Sequence, residues 1–171
     1  MITADIYHPA QWHDFFVMVG TGVAALTGLV FVAMTLKINV AVGHAGHRAR
    51  AISTLAGLTA VFVQSALVLM GGQDHVAVGA ELLVVAAIAC AVFVSGYFRS
   101  TRAHQAETAT LGRMVGGSAF YLAELVGAAM LVAGLISGLY VATVAIVANV
   151  AFMISGAWLL LVAARGDERA I

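Results

Sequence analysis

Polar residues are so sparse in this chain that their positions divide it into long apolar runs. Phe15 to Leu36 carries no charge and is closed by Lys37, whose stem can reach up to the headgroups. Ala51 to Gly71 forms a second uncharged run after the short stretch Asn39 to Arg50. Val76 to Phe98 is interrupted only by Glu81, and Met114 to Ala164 only by Glu124. A helix needs about 20 apolar residues to cross roughly 30 Å of hydrocarbon, so the first three runs each fit one crossing. The last run, at about 1.5 Å per residue, would be over twice that thickness. It must fold back, and Gly138-Leu139-Tyr140-Val141 near its middle is the predicted turn. The expected spans are 15–37, 51–71, 76–98, 114–138 and 141–164. Together they predict an all-α integral membrane protein, a five-helix transmembrane bundle forming a single domain over 1–171. Met1 to Asp14 is too polar to insert and reads as an interfacial lead-in, with Pro9 suited to the first turn of a helix.

The basic residues assign the sides. Lys37, Arg48 and Arg50 follow the first span, Arg99, Arg102 and Arg113 the third, and Arg165 and Arg169 the fifth, which accounts for all 8 Lys and Arg. The segments before the first span, between the second and third, and between the fourth and fifth hold none. Lys and Arg are retained on the cytoplasmic side during insertion, so the N-terminus is expected outside and the C-terminus in the cytoplasm. Trp12 and Tyr140 then fall at the outer interface, where amphipathic rings collect. The expected location is a cell membrane, a bacterial inner membrane.

Composition excludes a soluble domain. The chain is 63% hydrophobic and 9% charged, against about 25% charged residues in a typical soluble protein. Cys90 is the one cysteine, so an intrachain disulfide or a cysteine metal cluster is ruled out. The first residues carry Asp5 and Asp14 and no basic patch, so no cleavable signal peptide is expected.

In lipid, close helix contact depends on small residues, because burial against apolar tails gains little. Gly20, Ala24 and Gly28 recur every four residues on the first span, and Gly134 with Gly138 forms a GxxxG placed at the outer end of the fourth. Ala56 with Ala60, and Ala151 with Ser155, extend the pattern. Such faces either pack the helices of one subunit or mediate self-association.

Glu124 is the most informative single residue. A carboxylate near mid-membrane costs roughly 2.5–3.5 kcal/mol on insertion scales and usually faces a bundle interior or water. No Lys or Arg falls at its depth, which leaves a protonated acid, a hydrogen-bonded one, or one holding a cation. Gln64 and Asn149 are expected at similar depth, with Tyr121 one turn away, so the four residues are a candidate polar cluster or ion pathway. The structural alternative is a protonated Glu124 that locks helices together. Glu81 lies near the outer end of the third span, with Asp74 before it; in a symmetric assembly they would make the outer mouth electronegative.

The outer side also gathers His8, His13, Asp14 and His75, residue types able to bind zinc or copper if they converge. Their spacing matches no ligand motif, and His13 and Asp14 are expected to point apart on a helix. His44 and His47 belong with Arg48 and Arg50 in a basic loop suited to anionic lipid. Gly20-Thr21-Gly22 superficially resembles the start of a dinucleotide fingerprint, but no strand precedes it and no acidic residue follows at the required distance. Ser65, Ser95, Ser118, Ser137 and Ser155 have no His at matching depth to activate them.

Two functions therefore compete. The first is a homo-oligomeric channel or pore conducting protons or cations by way of intramembrane carboxylates, favoured because these acids lack basic counterparts. The second is a non-catalytic accessory or assembly subunit of a larger membrane complex. Enzymatic activity and a cofactor are not expected, nor is nucleic acid; the expected partners are the lipid bilayer, further copies of the chain, or a partner membrane subunit.

Overall fold

The computed structural model describes residues 9–36, 45–103 and 108–167, and within them the side chains of 10–35, 51–99 and 112–158. Asp5, His8, Lys37, His44, His47, Arg48, Arg50, Arg102, Arg165 and Arg169 lie outside the described side chains. The regular structure is helical throughout: α1 Pro9–Leu36, α2 Ala45–Val68, α3 His75–Ala103, α4 Thr108–Val132 and α5 Ser137–Asp167. All 5 helices contain a stretch long and apolar enough to cross a membrane. Their outward faces are as apolar as their inward ones, with Leu29, Ile88, Leu122 and Val144 all exposed. Helices apolar on every side suit lipid surroundings and not water.

Local chemistry sets the helix ends. Asp74 caps α3, its Oδ1 accepting a hydrogen bond from the Ala77 amide at 2.8 Å. The α4–α5 turn lies at Ala133–Ile136, five residues before the predicted Gly138–Val141. Gly134 decides this: at φ +82° it takes the left-handed conformation that ends a helix. The Leu135 amide reaches back to the Met130 carbonyl and the Gly134 amide to the Leu131 carbonyl, both at 2.9 Å, closing a Schellman motif. The expected Gly134/Gly138 pair on one helix is therefore corrected. Gly134 terminates α4, and Gly138 sits in the first turn of α5.

Each helix packs against the next in sequence, and α2 also meets α5, so α2, α3, α4 and α5 close into a ring. Helix α1 lies outside that ring against α2 and touches α5 only lightly. At one end of the bundle Trp12 meets Tyr140 edge to face, with ring centroids 4.8 Å apart. The opposite end carries Arg99 and Arg113, at the finish of α3 and the start of α4. Near the Trp12 end, Phe16, Val68, Val78, Leu82, Leu131 and Leu139 form one apolar core. A second core extends towards the Arg113 end through Leu58, Phe93, Tyr97, Ile146 and Met153.

Glycines permit the closest contacts within the ring. A Cβ at Gly138 would fall 2.5 Å from the Gly127 carbonyl oxygen, and a Cβ at Gly127 would fall 2.7 Å from the Gly138 carbonyl oxygen. Here α4 and α5 meet backbone to backbone. Gly20 lies against Ser65 of α2, where an added Cβ would fall 3.1 Å from that residue's Cβ. Ala24 and Gly28 do not extend this contact, because both are exposed and nothing lies within 4 Å of a Cβ built at Gly28. The expected Gly20-Ala24-Gly28 face is divided because residues four apart drift around a helix of 3.6 residues per turn.

Candidate functional site

The axis of the ring holds a polar cluster drawn from three of its helices. Gln64 comes from α2, Tyr121 and Glu124 from α4, and Asn149 from α5, each with 1% of its surface exposed. Cys90 of α3 lies close enough to both Glu124 and Tyr121 to interact electrostatically. The four residues singled out from sequence are thus brought together inside one chain. Glu124 faces neither lipid nor an axis between subunits.

Helical geometry explains the convergence. Tyr121 and Glu124 are three apart and share a face of α4. Glu124 stands eight residues before the end of α4, about 12 Å of helix at 1.5 Å per residue. On α2, Ser53, Gly57, Val61, Gln64 and Val68 are buried at helical spacing, so one stripe faces the axis. On α5, Ala142, Ile146, Asn149, Met153 and Gly156 do the same.

The cluster has more hydrogen-bonding capacity than it uses. Gln64 Nε2 donates to Glu124 Oε1. Asn149 approaches both the Glu124 carboxyl and the Tyr121 hydroxyl. Its Oδ1 and Nδ2 nevertheless complete no hydrogen bond, and neither do Glu124 Oε2, Gln64 Oε1 or Tyr121 Oη. Among the described residues no Lys, Arg or His forms an ion pair with Glu124. Leaving a buried polar atom unpartnered costs about 1–3 kcal/mol, so a site that concentrates several is unusual in a purely structural core. Such a group of atoms can exchange a proton or bind a small polar species.

Further towards the Arg113 end lies a small cavity that none of the four residues lines. It measures about 20 Å³ and is lined by Ser53, Thr54, Phe93, Tyr97, Arg113, Phe152, Met153 and Gly156. The Arg113 guanidinium lies over the Phe152 ring, 4.8 Å from its centroid. Gly156 gives it room, since a Cβ there would fall 2.8 Å from Arg113 Nη2. Sequence reasoning treated Arg113 as a topology marker and missed this role. The signal was present in the apolar residues around it, but pairing Arg113 with Phe152 requires knowing which helices are neighbours.

The other candidates have separate duties. Asp74 is engaged as a helix cap, and Glu81 Oε2 accepts a hydrogen bond from Gln73 Nε2 at 2.8 Å, which ties the α2–α3 loop to α3. His13 and Asp14 are correctly placed at the surface, but the expectation that they point apart is corrected: His13 Nδ1 lies 3.3 Å from Asp14 Oδ1. They border a groove of about 360 Å³ between the start of α1 and the end of α2. His75 sits instead near Gly134. Among the described residues no three His, Cys, Asp or Glu side chains come together to hold a metal. The chain matches no protein-family model, no curated protein and no solved structure, so the site stands on its own geometry.

Proposed function

We propose that this chain is a multi-pass protein of the cell membrane that moves protons by way of Glu124, in the interior of a single subunit. One observation carries the reading: a fully buried carboxyl with no cationic partner among the described residues, hydrogen-bonded to Gln64 through one oxygen while its Oε2 and the Asn149 and Tyr121 polar atoms beside it complete no hydrogen bond. Intramembrane acids in such settings are characteristic of proton relays. The tight packing favours protons over hydrated metal ions, since the cavity towards the Arg113 end, about 20 Å³, holds about one water. The reading assigns transport and no catalysis. The positive-inside rule places the Arg99 and Arg113 end in the cytoplasm and the Trp12 and Tyr140 end outside, in keeping with a bacterial inner membrane. Self-association is proposed through the outward face of α1, where Gly22 and Gly28 have nothing within 4 Å of an added Cβ.

The experiment is proton flux into proteoliposomes bearing a pH-sensitive dye, under an imposed potential. The parent chain is expected to carry protons, and Glu124→Gln is expected to abolish the flux while eluting as the same assembly. Sodium or potassium flux in the parent would shift the assignment to metal cations. No flux of any ion would overturn the reading.

The lateral position of α1 supports a second reading, an accessory subunit of a membrane complex. Only 17% of its apolar stretch is buried, against 33–44% for the other four helices, so most of its length is open to a partner helix. Mild extraction yielding a stoichiometric second protein would favour that reading.

A further inference from the structure

Arg113 is a cation to which the described residues supply no anion. Its side chain is half-buried against α5, with the guanidinium over the Phe152 ring. The Nε is buried and completes no hydrogen bond. Among the described residues no carboxylate forms an ion pair with it, and none of the residues lining the cavity beside it is acidic. A guanidinium carries five N–H donors and cannot shed its charge, so one left without an acceptor at a cavity calls for an anion from outside the chain. Gly156 shapes the seat. A Cβ there would fall 2.8 Å from Nη2, so the missing side chain is what lets that end of the fork lie against α5. Three hydroxyl-bearing residues complete the wall: Ser53 and Thr54 of α2 and Tyr97 of α3, all buried.

We infer that Arg113 and this cavity bind a phosphate group, supplied by a phospholipid headgroup, with one non-ester oxygen seated in the cavity. Phosphate suits a guanidinium because the planar fork can donate to its oxygens in pairs. Size sets the mode of entry. The cavity, about 20 Å³, takes about one water-sized atom, so a single oxygen enters and the rest of the phosphate stays at the opening. Depth favours a lipid as the source. Ser53 and Thr54 follow Arg50 by three and four residues, and Tyr97 precedes Arg99 by two. At 1.5 Å per residue these walls lie within about 6 Å of helix from a flanking charge. Arg113 itself directly precedes the apolar run from Met114. That is the level of the boundary between hydrocarbon and headgroups, where lipid phosphates are the abundant anions. Arg50 and Arg99, at the same end, add to the attraction for an anionic headgroup. Occupied, the seat ties the start of α4 to the headgroup layer. Glu124 takes no part in it, so lipid retention and proton flux can fail separately.

Native mass spectrometry of the detergent-purified chain, equilibrated with dioctanoylphosphatidylglycerol, reads the retained lipid directly. The parent is expected to hold a lipid at this seat. Arg113→Gln is expected to weaken retention at least about tenfold, the factor in dissociation constant that losing ~1.4 kcal/mol of charged hydrogen bonding produces. Gly156→Ala keeps every charge but places a Cβ against Nη2, and should weaken retention as well. Arg99→Gln removes the same charge from an exposed position at the end of α3 and should weaken it far less. Unaltered retention in Arg113→Gln would overturn the site. Equal losses in Arg99→Gln and Arg113→Gln, or normal retention in Gly156→Ala, would show attraction by charge alone and overturn the seat. If millimolar inorganic phosphate displaces the lipid, and protects the parent but not Arg113→Gln against heating, the phosphate site stands and the lipid is overturned as its source.

Discussion

At the scale of single residues, the question is whether Glu124 serves as an acid or as a bolt between helices, and the two roles respond differently to substitution. Glu124→Gln keeps the shape and a carbonyl acceptor for Gln64, but removes the exchangeable proton. If the residue works as an acid, thermal unfolding in detergent should occur at the parent temperature or above it, because no buried carboxyl then remains to be solvated. A clear drop would identify the carboxyl as a structural lock. Gln64→Leu is the converse case. It takes the donor from Glu124 Oε1 and should destabilise the fold by about 1–3 kcal/mol, read as a lowered midpoint in the same assay.

At the scale of helices, the glycines separate contacts that matter to the subunit from those that do not. Gly127→Leu would force a side chain into the Ala142 backbone of α5 and should cost at least about 1–3 kcal/mol in thermal stability. A Cβ at Gly28 meets nothing within 4 Å, so Gly28→Leu should leave the isolated subunit unchanged. If α1 joins subunits, the same variant lowers the mass of the assembly measured by light scattering. Gly134→Ala should cost about 1–2 kcal/mol, because the left-handed backbone there disfavours any Cβ. The four apolar runs were legible because charges interrupt them so rarely. The α4–α5 turn was misplaced because two glycines four residues apart, Gly134 and Gly138, fit either a turn or a packing face. Only the backbone at Gly134 distinguishes them. Gly127 escaped notice because its importance depends on lying opposite Gly138, a pairing that one-helix periodicity does not show.

At the scale of the whole molecule, four helices enclose the acid and a fifth stands aside, so Glu124 is buried within one chain. Gln64, Tyr121, Glu124 and Asn149 were legible from sequence because polar side chains inside apolar runs are costly and conspicuous. Cys90 was not, since a thiol in an apolar run gives no such signal. The proposed direction of the bundle rests on charge alone. In sealed cells, single cysteines placed at Ala10 and at Arg99 in a chain with Cys90→Ala should label from opposite faces, Ala10 from outside; labelling from one face would reverse or break the proposed orientation. The most direct test of the central claim is the infrared difference spectrum of the reconstituted protein between acidic and alkaline buffer. The expected result is a carboxylic carbonyl band that appears and disappears reversibly with pH in the parent and is missing in Glu124→Gln. Identical spectra from parent and variant would contradict the claim that Glu124 exchanges a proton inside the bundle.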